Sequence, residues 1–186
     1  MGGSKRISAA AKGTDMTARS TSGTAGRADT ADAGALEAAQ AALRAEHAVV
    51  YGYGVVGGRV DDDRREEARS GYDAHRSRRD AMHRAVRRLG GRPEAAAAAY
   101  AMPFPVPDAA AAARLAAELE DRVAAVYADL VQASDGVLRR DAASALRETA
   151  VRAVRWRGRS VAFPGLAERS ESASSPGTAS GTADSL

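Results

Sequence analysis

The amino-acid sequence predicts an all-α protein: a bundle of four helices with one long crossover connection between the second and the third. Apolar residues recur at helical spacing in four separate segments, and no segment shows the strict alternation of a half-buried strand. The connection over residues 90–107 contains four of the six prolines. Fully extended it would reach about 60 Å, whereas each helix is only about 30–40 Å long, so it can cross the whole bundle.

The first two helices are delimited by glycine and by charge. The first is predicted over residues 35–56, because the glycine pair 57–58 is a typical helix stop. Three aspartates at 61–63 then place negative charge at the start of the second helix, where the helix dipole favours it. The second helix continues to Leu89, and Gly-Gly-Arg-Pro at 90–93 ends it.

The third and fourth helices form a second hairpin. Asp108 is the predicted N-cap of a helix over residues 109–133, and the fourth helix follows a short turn and covers residues 137–157. Helical periodicity predicts the inward positions Leu115, Leu119, Val123, Val126 and Leu130 on the third helix, and Leu138, Ala142, Ala145, Thr149, Arg152 and Trp156 on the fourth.

Composition and charge exclude several classes of protein. The chain has 186 residues, 27 Lys and Arg against 24 Asp and Glu, a net charge of +3 and no cysteine. The two signs are mixed along each segment, and the arginine-rich stretch 76–92 has few aromatic neighbours for base stacking, so a nucleic-acid partner is disfavoured. No run of about 18 apolar residues exists, so no membrane span is expected.

The two ends of the chain differ from its middle. Residues 1–33 and 168–186 are rich in Ser, Thr, Gly and Ala and cannot bury enough apolar surface to offset their ordering entropy. We therefore expect disordered tails there and one folded domain over residues 34–167. The first 33 residues also lack the apolar stretch of a secretory signal, and the expected location is cytoplasmic.

An acidic residue, Glu46, interrupts the apolar face of the first helix. At about 100° per residue it lies within the stripe formed by Leu36, Leu43 and Val50. A buried carboxylate is costly unless a positive group meets it. The facing helices offer inward polar positions: His75 with Arg78 or Arg79 on the second, Glu118 or Glu120 on the third, and Thr149 with Arg152 on the fourth. Helical periodicity does not decide between Arg78 and Arg79, or between Glu118 and Glu120.

The sequence segments around these residues resemble those of the ferritin-like superfamily. The first-helix segment 46–53 is similar to that of bacterioferritin-type proteins, in which a Glu ligand is followed seven residues later by an inward Tyr, as Glu46 is by Tyr53. Residues 36–166 resemble a ferritin-like domain family of unknown function in high-GC bacteria. The matching segments are 46–53, 74–80, 102–106, 156–158 and 163–166.

The resemblance also shows where this chain departs from the iron-binding relatives. Those proteins carry Glu, Glu-x-x-His, Glu and Glu-x-x-His on successive helices. Here Glu46 is kept, but the second pattern becomes His75-x-x-Arg78 and the fourth becomes Thr149-x-x-Arg152. A permanent cation cannot ligate iron and repels it, so a di-iron centre is not expected.

Three functional interpretations follow. The favoured one is a bundle without a cofactor, which acts through a homo-oligomer or a protein partner. Its core would hold a polar network of Glu46, His75, Arg78, Arg79, Arg152, Glu120 and Tyr53. The alternative is a metal-handling protein or oxidoreductase with one Fe or Mn on Glu46, His75 and Glu120. The third is an organic anion in an Ala-lined, Arg-containing cavity. Whether the protein is an enzyme stays open.

Overall fold

A computed structural model describes residues 18–158, with side chains from residue 32 onward. Its helices are α1 over Ala18–Gly57, α2 over Arg65–Arg88, α3 over Ala109–Ala133 and α4 over Gly136–Arg157, and a 3₁₀ turn over Asp62–Arg64 precedes α2. The described residues contain no strand. The predicted all-α four-helix fold is confirmed.

Helix α1 differs from its predicted length. It begins at Ala18, well before the predicted start at residue 35. The stretch 18–33 has no proline but also no apolar stripe. Amphipathic periodicity therefore gives no sign of a helix there, although extending a helix that has already formed costs little. The rest of the two predicted tails, residues 1–17 and 168–186, lies outside the described residues, as does the end of the predicted domain, residues 159–167.

The crossover follows the length of α1. At its start, Gln40 Nε2 donates a hydrogen bond to the Arg92 carbonyl at 2.7 Å, and at its end Arg59 donates to the Pro107 carbonyl at 3.2 Å. Gln40 and the end of α1 at Gly57 are about 26 Å apart at a rise of 1.5 Å per residue, and Arg59 follows two residues later. The connection therefore carries the chain from one end of the bundle to the other.

The helices pack in a ring around one core. Helix α1 packs on α2 and α3, α3 packs on α4, and α2 and α4 make only a narrow contact. Small residues let the backbones approach closely; buried alanines include Ala39, Ala42, Ala112, Ala116, Ala124 and Ala142. None of the helices in residues 18–158 has the length and hydropathy needed to cross a membrane.

The helix ends follow the expected chemistry. The Asp108 side chain caps α3 by accepting a hydrogen bond from the Ala111 amide at 2.8 Å. Gly158 ends α4 with φ at 75°, a left-handed conformation that other residues rarely adopt.

Candidate functional site

A buried ionic cluster occupies the middle of the bundle. Glu46 from α1, His75 from α2 and Glu120 from α3 have side chains that are 0% exposed. His75 Nδ1 lies 2.8 Å from Glu46 Oε2, and His75 Nε2 lies 3.1 Å from Glu120 Oε1. One imidazole ring therefore bridges two carboxylates from two other helices.

Local sequence explains why this histidine points inward. On α2 the inward face is Ala68, Gly71, His75 and Met82, at helical spacing. Gly71 leaves space one turn before the histidine, and the Tyr53 ring fills it: a Cβ at residue 71 would lie 2.4 Å from Tyr53 Cε1. The Tyr53 and His75 rings are 5.3 Å apart between centroids.

Two tyrosines satisfy the carboxylates in a crossed arrangement. Tyr53 of α1 donates to Glu120 Oε1 of α3 at 2.5 Å, and Tyr127 of α3 donates to Glu46 Oε1 of α1 at 2.7 Å. Each tyrosine lies seven residues after the glutamate of its own helix and bonds the glutamate of the other. Trp156 extends the chain of contacts by donating to the Tyr53 hydroxyl at 2.9 Å.

Of the predicted arginines, Arg152 joins the cluster directly. Its Nε donates to Glu120 Oε1 at 2.7 Å. Arg78 lies at the edge of the core, where it pairs with Glu148 of α4. The structure does not bring Arg79 into the network, because this side chain is 100° further round α2 and pairs with its neighbour Asp80.

The structure also decides between the two glutamates of α3. Glu120 is fully buried, whereas the Glu118 side chain is 42% exposed and pairs with Arg122 one turn along the same helix. Thr149 is buried, and its hydroxyl bonds the carbonyls of its own helix at Ala145 and Leu146. Thr149 therefore contributes no partner to the cluster.

Burial and hydrogen bonding set the charge states. Burial lowers the pKa of His75, but the hydrogen bonds and charges of Glu120 and Glu46 outweigh it, and the pKa is raised. Burial raises the pKa of Glu120, but His75 and Arg152 outweigh it, and the pKa is lowered. The centre is therefore an imidazolium that donates to two carboxylates.

The tyrosines are held in the neutral form. Burial, followed by the neighbouring carboxylate, raises the pKa of Tyr53 and of Tyr127 well above the ordinary value of 10.0. Both hydroxyls therefore keep their protons and act as donors to Glu120 and Glu46. They complete a centre in which two negative carboxylates face two positive groups, His75 and Arg152.

The arrangement does not fit a di-iron centre. Both oxygens of Glu46 already accept hydrogen bonds, and Glu120 Oε1 accepts three. Of the cluster's carboxylate oxygens, only Glu120 Oε2 is buried without a partner in the described structure. Within residues 18–158 no group of three or more His, Cys, Asp or Glu is arranged to hold a metal ion.

Sequence analysis left three contributors out of the network: Tyr127, Trp156 and Glu148. The first had a signal, because the Glu46 to Tyr53 spacing recurs as Glu120 to Tyr127. Glu148 had none, since its side chain is half exposed and pairs with Arg78 only because α2 and α4 face each other. Trp156 was predicted only as an inward position of α4, and its hydrogen bond to Tyr53 crosses the core between α4 and α1.

The bundle is similar to known proteins along nearly its whole length. The model of a family described as "Domain of unknown function (DUF4439)" matches residues 38–168. A crystal structure of a conserved hypothetical protein, rv2844, from Mycobacterium tuberculosis is similar, with 35% sequence identity and a TM-score of 0.65. The match covers 69% of this chain and 96% of that chain. No curated protein matches the chain.

Proposed function

The chain belongs to the DUF4439 family, and we propose that its bundle is a ferritin-like interaction domain whose core is an ionic network in place of a metal centre. The observation that carries the proposal is the bridging histidine. His75 donates from both ring nitrogens to carboxylates, so neither nitrogen offers a lone pair to a metal.

The ferritin-like relationship is supported by topology and by position. One long crossover between the second and third of four helices is the arrangement of ferritin-like folds. Glu46, His75 and Glu120 lie on three different helices and meet at the centre of the bundle, as the ligands of such folds do. The second and fourth helices differ in chemistry from those of the iron-binding relatives. The second supplies His75 and Arg78, and the fourth supplies Arg152.

The ionic centre contains equal numbers of negative and positive charges. Glu46 and Glu120 carry two negative charges, and His75 and Arg152 carry two positive ones, on four different helices. A buried network of this kind fixes the register of the helices more than it adds stability. The bundle then presents its outer surface to a protein partner or to a second copy of itself, in the cytoplasm and without a cofactor.

One observation favours a second candidate, a protein that handles a single Fe or Mn ion. Glu120 Oε2 is buried and has no partner in the described structure. Glu46, His75 and Glu120 carry donor atoms of a type that suits such an ion, although the described structure does not arrange them as a metal site. A metal there would have to displace the protons of His75 and oppose the charge of Arg152.

Metal analysis of the full chain separates the two candidates. Protein purified without chelator or affinity metal is analysed for bound elements, and its melting temperature is followed during Fe(II) and Mn(II) titration. The interaction domain predicts no stoichiometric metal and an unmoved melting temperature. Bound metal at one equivalent per chain, with stabilisation by the added ion, would overturn it in favour of the metal-handling candidate.

The variant Glu46→Ala tests the network itself. Removing this carboxylate leaves the His75 charge and the Tyr127 hydroxyl buried without one of their partners, and we expect a loss of about 3–5 kcal/mol in unfolding free energy. Glu37→Ala is the matched control, since Glu37 is exposed on the same helix, and a change within about 0.5 kcal/mol is expected there. Equal effects of the two variants in urea titrations would contradict a structural network.

A further inference from the structure

A cavity lies where the end of α4 meets α3 and the crossover. Its volume is about 360 Å³, within the range of binding sites. The apolar part of its lining consists of Phe104 of the crossover, Ala110, Ala113 and Ala117 of α3, and Trp156 of α4. Phe104 and Ala113 are only partly buried, so apolar surface is left for an occupant.

The charged residues of the same lining cancel one another. They are Arg114 and Arg157, which are positive, and Glu118 and Asp121, which are negative. Because the cavity has no net charge, a neutral apolar occupant complements it better than an ion does.

One donor of the lining lacks an acceptor. Arg157 donates to Asp121 through Nη2, while its Nη1 atom is buried and has no hydrogen-bond partner in the described structure. A buried charged donor without an acceptor is costly, so an acceptor oxygen belongs beside Nη1. A backbone carbonyl supplies such an oxygen without bringing a charge.

The chain that follows α4 starts at this cavity. Trp156 and Arg157 line it, and Gly158 then ends the helix in a left-handed conformation. Residues 161–166, with the sequence Val-Ala-Phe-Pro-Gly-Leu, carry no charge and include every large apolar residue of the stretch 159–185. The family model extends to residue 168 and therefore includes this segment.

We propose that the cavity is the docking site of residues 161–166 of the same chain. The Phe163 side chain packs against Phe104 and Trp156, and a backbone carbonyl of the segment accepts from Arg157 Nη1. Phe163 follows Gly158 by five residues, which span up to about 17 Å when extended, so the cavity is within reach. Pro164 suits such a site, because it has a carbonyl but no N–H that would need an acceptor.

The docked segment covers Trp156, whose indole bonds the Tyr53 hydroxyl beside the ionic cluster. It thereby adds a further layer over the end of the bundle where α4 meets α1. This inference goes beyond the proposed function and does not depend on it.

Engineered cysteines test the contact in the full chain, which has no cysteine of its own. Ala113→Cys in the cavity is combined with Ala162→Cys in the segment, which leaves Phe163 in place. A disulfide requires the two Cβ atoms to come within about 4.5 Å of each other. The control combines Ala162→Cys with Ala143→Cys, an exposed position of α4 about 20 Å from Gly158 along the helix.

Disulfide formation within one chain is followed by mass spectrometry under mild oxidation. We expect the Ala113 pair to close about tenfold faster than the control pair, because docking raises the effective concentration of the two thiols. Adding Phe163→Ala should remove this advantage, whereas Leu186→Ala, the loss of a large apolar residue outside the segment, should keep it.

Three outcomes overturn the proposal. Equal rates for the two pairs, in protein with native helix content by circular dichroism, would mean that the segment does not dock in the cavity. An advantage that persists in Phe163→Ala would remove this ring from the cavity. A disulfide that joins two chains would assign the cavity to a second copy. None of these bears on the ionic core, because metal content and the Glu46→Ala experiment involve no residue of the cavity.

Discussion

At the scale of single residues, one histidine organises the centre of this protein. His75 is fully buried between Glu46 and Glu120, and each carboxylate also accepts a hydrogen bond from a tyrosine of the opposite helix. A charged imidazole buried alone would be costly, but between two carboxylates its charge is the favoured form. The charge of this one ring should therefore control how stability depends on pH.

We predict that the unfolding free energy is highest between about pH 4.5 and 6.5, the ordinary pKa values of Glu and His. The pKa of His75 is raised in the folded state, so its contribution is complete below 6.5 and is lost as pH rises through the folded-state value. The pKa of Glu120 is lowered, so its contribution is complete above 4.5 and is lost as pH falls through the folded-state value.

Urea unfolding at stepped pH, followed by far-ultraviolet circular dichroism, measures this profile. His75→Gln should remove the decline on the alkaline side, whereas His83→Gln, a change at an exposed position of the same helix, should keep it. A wild-type profile that stays flat from pH 6 to pH 9 would falsify this prediction.

At the scale of the elements, close helix contacts decide which side chains meet. The Tyr53 ring of α1 lies against the backbone of α2 at Gly71, and the Leu119 side chain of α3 lies against α1 at Gly52. These two glycines are buried in helix interiors, where a glycine otherwise costs stability. These glycines let the helices approach closely enough for the Tyr53 hydroxyl to reach Glu120.

Two glycine substitutions should therefore have opposite signs. Gly71→Ala would place a Cβ 2.4 Å from Tyr53 Cε1, and this ring is fixed by its bonds to Glu120 and Trp156, so we expect a loss of about 1–3 kcal/mol. Gly54→Ala is the matched control, because its Cβ would meet open space, and a gain of about 0.5–1 kcal/mol is expected.

Chemical denaturation of both variants measures the two effects. No cost of Gly71→Ala would show that the Tyr53 contact with α2 does not limit packing. Destabilisation by Gly54→Ala would contradict the expected gain at an unobstructed helix position.

At the scale of the whole molecule, the ionic cluster joins all four helices. Each helix contributes one charged residue to the cluster: Glu46 on α1, His75 on α2, Glu120 on α3 and Arg152 on α4. If one helix separated from the bundle, a charged group on another helix would lose its partner. The core cluster of apolar residues also extends over the four helices. The bundle should therefore unfold as one unit.

We predict that the unfolding curves followed by tryptophan fluorescence and by circular dichroism coincide. Trp156 is the only tryptophan of the chain, and it contacts Tyr53 and lies under the Arg64 guanidinium at 3.9 Å, so its fluorescence reports on the packing of α4. Far-ultraviolet circular dichroism reports on all helices. The two urea transitions should share one midpoint. A fluorescence change that precedes the loss of helix would mean that α4 separates first.

The sequence by itself determined the four helices, the crossover and the burial of Glu46, because these follow from local chemistry: apolar periodicity, glycine and proline stops, and the position of an acid on an apolar stripe. It could not place the start of α1, since residues 18–33 carry no stripe although they are helical.

Only the tertiary structure decided which polar groups meet. Helical periodicity gives a direction of about 100° per residue, so it cannot separate adjacent candidates such as Arg78 and Arg79. Contacts across helices depend on how each helix is rotated and shifted against its neighbours, which is a property of the packed core. The crossed bonds from Tyr127 to Glu46 and from Tyr53 to Glu120 exist for that reason alone.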